Sequence, residues 1–178
     1  MQNIQIETPI GALTFTVETE QGDVNNFNIS TCQIEPMLPD GMSIEGSIAV
    51  LLKGISSNEI SNLDFSCGWN DLREKGYAAS GEALEAWEWE SNGVLVMVGT
   101  EDSEWINSRL KLSDEQYPEN CPVTMSENKI VTNIEKYDSN KELSLHFIVA
   151  WNKLPEPVDC SCWYAVDVPH ERVIKSCV

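Results

Sequence analysis

Apolar side chains recur at every second position through most of this chain, and that period commits it to half-buried β-strands. Leu13, Phe15 and Val17 form one row, and Phe27, Ile29 and Thr31 a second. Ile48, Val50 and Leu52 follow, then Leu63, Phe65, Cys67 and Trp69. Later rows are Ile130, Thr132 and Ile134, then Leu143, Leu145, Phe147, Val149 and Trp151. Polar or proline-bearing turns separate them: Gln21-Gly22-Asp23, Pro118 with Pro122, Asp138-Ser139-Asn140 and Pro155-Glu156-Pro157. Short strands spaced by such turns predict a mainly β fold, an antiparallel β-sandwich or partly open barrel.

The segment AWEWESNGVLVMV, residues 86–98, carries the sharpest local instruction. Asn92-Gly93 suits a type I′ turn, whose two central residues both need positive φ. A two-residue loop fixes the register: Ser91 opposite Val94, Trp89 opposite Val96, Trp87 opposite Val98. One face of the hairpin is then Trp and Val, a core face. The other sets Glu88 against Met97 and Glu90 against Leu95, a half-exposed acidic face.

Residues 78–86 have helical composition, and Ser103–Leu112 fits both periods. Glu104 near its start and Arg109 and Lys111 near its end suit the helix macrodipole, so a short helix or turn is expected there. Ser161–Val168 reads as a final long strand. One or two short helices therefore accompany the strands. No Pro/Gly/Ser-rich linker divides the chain, which predicts a single domain over residues 1–178.

Charge narrows the function. Twenty-nine acidic residues face eleven basic ones, a net charge of −18. Residues 1–60 hold eight acids and one base, and residues 61–120 thirteen acids and four bases, so −16 of the total lies in the first 120 residues. Such a field repels nucleic acid and anionic membranes and attracts cationic partners. The opening residues MQNIQIETPIGALTF lack a basic stretch followed by an apolar one, and no apolar run approaches the ~18 residues of a membrane span. A cytoplasmic location is expected, with the six cysteines as free thiols.

Motifs for catalysis are missing. His146 and His170 belong to no HExxH pattern, and there is no phosphate-binding glycine loop or GxSxG elbow. Cys160-Ser161-Cys162 would place two thiols on one side of a strand, half of a metal site without its other half. Glu101-Asp102-x-Glu104 and Asp114-Glu115 lack the framework of a calcium loop. No catalytic residue, metal ligand or cofactor is therefore assigned, and the chain reads as a binding protein, not an enzyme.

Acid–aromatic mixtures mark the expected binding surface, because aromatics supply contact energy and acids supply steering. One is Glu101, Asp102, Glu104 and Trp105, directly after the Val94–Val98 strand. Another is Asp114, Glu115, Tyr117 and Glu119, and the outer hairpin acids Glu88 and Glu90 complete the set. In acidity, small size, strand-rich body and lack of catalytic motifs, the chain resembles the immunity proteins of bacterial toxin systems, including contact-dependent growth inhibition. That resemblance implies a tight one-to-one complex with a cognate toxin domain, cationic and of nuclease type, such as a ribonuclease. A carbohydrate- or small-ligand-binding β-sandwich is the alternative suggested by six Trp, although Trp87 and Trp89 fall on the core face. An acidic subunit or adaptor is a third reading.

Overall fold

The alternating rows become strands that pair antiparallel throughout, in two sheets packed face to face. The structure is a computed structural model and describes residues 2–21, 24–71, 76–112, 121–126 and 128–177. The first sheet contains β1 (Gln2–Thr8), β2 (Gly11–Gln21), β5 (Ile60–Trp69), β9 (Val123–Ser126) and β10 (Lys129–Tyr137), in the order β1-β2-β5-β10-β9. The second contains β3 (Phe27–Gln33), β4 (Gly46–Ile55), β6 (Tyr77–Ala78), β7 (Leu84–Ser91), β8 (Val94–Glu101) and β11 (Glu142–Lys153), in the order β3-β4-β11-β8-β7-β6. Short helices are α1 (Ser103–Leu110), α2 (Ser161–Val166) and α3 (His170–Cys177). The architecture is a mainly β sandwich, with three short helices where one or two were expected.

Inward-facing residues of both sheets close the main core. Leu13, Phe15 and Val17 meet Leu63, Phe65 and Cys67 from one side and Leu143, Leu145, Phe147 and Val149 from the other, all essentially without solvent contact. Phe147 lies between Phe15 and Phe65, with ring centroids 5.9 and 4.9 Å away. Truncating a side chain so placed costs about 3–5 kcal/mol. The β7–β8 hairpin adopts the expected register, with Trp89 opposite Val96 and Trp87 opposite Val98. Asn92 and Gly93 take φ of 52° and 73°, the values that a type I′ turn demands. Trp87 and Trp89 are buried, as the phase of the strand predicts.

A second core lies on the outer face of the six-stranded sheet. Ala49, Leu51, Met97, Ile148 and Ala150 face away from the sandwich interior and pack against Cys162, Ala165, Val166 and Val173 of α2 and α3. This layer corrects three sequence expectations. Ser161–Val166 is a helix, because Cys162, Ala165 and Val166 at i, i+3 and i+4 present one apolar stripe to the sheet. Cys160 and Cys162 therefore do not share the side of a strand; Cys160 is exposed and Cys162 buried. The third concerns thiols. Cys32 of β3 and Cys177 of α3 are joined in a disulfide, leaving Cys67, Cys121, Cys160 and Cys162 free.

Residues 78–86 form no helix, since β6 ends and β7 begins within them. Gly81 lets Trp163 of α2 lie close across this segment, with Trp163 Nε1 donating to the Ala79 carbonyl at 2.8 Å. Ser103–Leu110 is the expected helix, and its Ile106 and Leu110 seal one end of the main core. Of the turn expected at Gln21-Gly22-Asp23, Gly22 and Asp23 lie outside the described residues, as does Pro118.

Candidate functional site

Strand β8 delivers Glu101 to the end of the outer sheet face, and α1 starts two residues later. Asp102 caps that helix, its Oδ1 accepting from the Trp105 backbone N–H at 2.7 Å. About two helical turns then bring Arg109 back over Glu101. Arg109 Nε lies 3.1 Å from both carboxylate oxygens, and Nη2 is 2.6 Å from Oε2. Nη1 donates to the Ser144 carbonyl at 3.0 Å, tying α1 to β11. A bidentate pair of this kind fixes the orientation of both groups.

Beside it lie the two histidines. Both are buried, His146 on the outer face of β11 and His170 at the start of α3. Their burial follows from the helical layer that covers the outer face of β11. Their Nδ1 atoms are 2.8 Å apart, and His170 Nε2 lies 2.9 Å from Ser144 Oγ. Glu101 Oε2 is 3.8 Å from His170 Nδ1 and 4.0 Å from His146 Nδ1. Burial, then the neighbouring His170 and Arg109, hold His146 well below the usual imidazole range. Burial, followed by Arg109 and Lys53, pushes His170 down to about 3. Both rings are therefore neutral near pH 7. Glu101, His146 and His170 form the one cluster among the described residues whose ligand atoms converge as a metal site requires.

A cavity of about 360 Å³ opens over this cluster. Glu101, Arg109 and His170 lie at its inner end, and Leu84, Val166, Val168 and Pro169 give it apolar walls. Trp105 stands at its margin, 59% exposed, so it does not plug the core. Exposed carboxylates of Asp167 and Glu171 also line the opening, and exposed Glu104 is the residue before Trp105. Partial burial raises the Asp167 carboxyl above its ordinary value. Arg109, the cation that lines the cavity among the described residues, is already neutralised by Glu101.

The expected binding residues thus separate. Glu101 and Trp105 line the cavity with Glu104 alongside, whereas Asp102 is committed to capping α1. Glu88 and Glu90 lie on the same sheet face but four and six residues along β7 from Leu84, about 13 and 20 Å at the strand rise of ~3.3 Å per residue. Glu88 is half-buried and Glu90 exposed, the half-exposed face that the register predicts; burial raises the pKa of Glu88 first, with Glu156 and Glu90 adding to the effect. Asp114, Glu115, Tyr117 and Glu119 lie outside the described residues. The site residues that sequence reasoning missed are His146, His170, Asp167 and Glu171. Their signal was the out-of-phase apolar pair Ile148 and Ala150, which shows that β11 is covered on both faces.

Comparison with family models, curated proteins and solved structures finds no match to this chain. Among the described residues, no helix is long and apolar enough to cross a membrane.

Proposed function

We propose that this chain is an immunity-type inhibitor that neutralises a cationic toxin domain by binding it across the cleft beside α1. The observation that carries the reading is Trp105, a large aromatic left 59% exposed at the margin of an apolar-walled cavity with a carboxylate rim. Exposed tryptophan beside a pocket is the usual composition of a binding hot spot. Its acidic surround, Glu104, Asp167 and Glu171, steers a basic partner and enters no ion pair among the described residues. Binding, not turnover, is the activity proposed, and the partner is a basic nuclease domain, not nucleic acid or membrane.

Growth protection tests it. A candidate cationic toxin domain, sought in the gene adjacent to this chain's, is expressed with wild-type protein, and with a Trp105→Ala, Glu104→Lys variant. Wild type restores growth and the variant fails to, while both fold alike. Equal protection by both, or none by wild type, refutes the reading. A glycan array separates it from a carbohydrate-binding sandwich, because an inhibitor gives no glycan response. The proposed compartment is the cytoplasm. Cell fractionation should recover the chain with cytoplasmic markers, and recovery in another compartment contradicts that placement.

A further inference from the structure

Glu101, His146 and His170 lie together without any role in partner binding that their burial would permit for the histidines. Their geometry is specific. Glu101 Oε2 and the two Nδ1 atoms, separated by 2.8, 3.8 and 4.0 Å, lie on a circle of radius about 2.1 Å, the ordinary zinc–nitrogen and zinc–oxygen distance. One ion at its centre is equidistant from all three.

Hydrogen bonding around the rings agrees. The 2.8 Å contact between the Nδ1 atoms of two neutral rings requires that one of them present a lone pair to the N–H of the other. His170 Nε2 has Ser144 Oγ at 2.9 Å, which accepts from it equally well as it donates. The gap between the two Nδ1 atoms thus holds either one ring proton, as an N–H···N hydrogen bond between neutral imidazoles, or, once that proton moves to the far nitrogen, a metal ion. Ligating histidines commonly engage their far nitrogen with a backbone carbonyl or another polar group in this way. Arg109 grips the carboxylate through Nε and Nη2 and fixes its orientation. A nucleophile–base reading of Ser144 and His170 is weaker, since Ser144 does not line the cavity, whereas Glu101 and His170 do.

We infer that Glu101, His146 and His170 form a three-ligand site for a zinc-class divalent cation, with its open side toward the cleft. Two imidazoles and one carboxylate suit a borderline first-row ion better than calcium or magnesium, which take oxygen ligands. The cavity provides both an entry path and a free coordination position. This inference stands independently of the toxin-binding reading, because it is measured on the chain alone.

The test uses untagged full-length protein, stripped with chelator, its disulfide kept and Cys121→Ser and Cys160→Ser introduced so that exposed thiols do not compete. Calorimetric titration with ZnCl2 should saturate at one equivalent. Co2+ should give ligand-field bands without a thiolate charge-transfer band. His170→Gln and Glu101→Gln should each weaken Zn2+ at least about tenfold with an unchanged circular dichroism spectrum. Imidazole 15N NMR puts the same question to the unsubstituted histidines: Zn2+ should shift the Nδ1 resonances of both rings. No saturable binding, unshifted resonances at saturating Zn2+, or full affinity in both variants overturns the site.

Discussion

Asp102 and Glu104 are two positions apart in one acidic run, yet their carboxylates meet different surroundings. Asp102 satisfies a backbone N–H at the start of α1, so Asp102→Ala should destabilise the fold by about 1 kcal/mol in denaturant titration. Glu104 is exposed and outside the ion pairs of the described residues, so Glu104→Lys should change stability by less than about 0.5 kcal/mol. The buried histidines make a further residue-level statement, in chelator-treated protein. Their folded pKa values lie below those of the unfolded chain, so the stability they contribute is complete above about pH 6.5 and is lost as pH falls, for His170 toward about 3. Between pH 6.5 and 4.5 the loss from His170 should be on the order of 2 kcal/mol. Glu88 and Asp167, whose pKa values are raised, act in the opposite sense and blunt it. Thermal melts should follow that slope, and His170→Gln should flatten it; a melting temperature level across this range contradicts the neutral buried pair.

Elements differ in how far local residues determine them. The β7–β8 hairpin was legible to the level of register because Asn92-Gly93 admits one turn geometry, and a two-residue loop leaves no freedom to slip. Helix α1 was legible because its cap and its dipole-matched charges are local. Helix α2 was not. Its residues Ser161–Val166 alternate well enough for a strand, and their helical form depends on a sheet face built from residues far earlier in the chain. Reading both phases of β4 and β11 as apolar would have revealed that covered face. The cluster was still further from view, since Glu101, His146 and His170 come from three elements that no spacing links. Two predictions belong to this layer. Gly81→Ala would bring a Cβ to 2.4 Å from Trp163, and should cost about 1–3 kcal/mol by pushing α2 off the sheet. Cys32→Ser releases α3 from β3 and opens a loop spanning 145 residues, with an expected loss of about 2–4 kcal/mol in urea unfolding. A variant as stable as wild type would show that α3 docks through Val173 and its neighbours alone.

At the scale of the whole molecule, a net charge of −18 sets the approach of a partner more than the strength of its grip. The sandwich supplies a rigid frame, the helical layer closes its outer face, and the cleft between them gathers Trp105 with Glu104, Asp167 and Glu171. Charge and aromatic should therefore be kinetically separable: carboxylates govern association, Trp105 dissociation. The most direct measurement of the proposed binding is stopped-flow association with a candidate cationic toxin domain, from low to high salt, for wild type, Trp105→Ala and the combined Glu104→Lys, Asp167→Lys, Glu171→Lys variant. The account predicts a wild-type rate that falls steeply with salt, a rate at least about tenfold lower at low salt in the charge reversal, and faster dissociation without slower association in Trp105→Ala. No complex, or rates that neither salt nor these substitutions change, would contradict it.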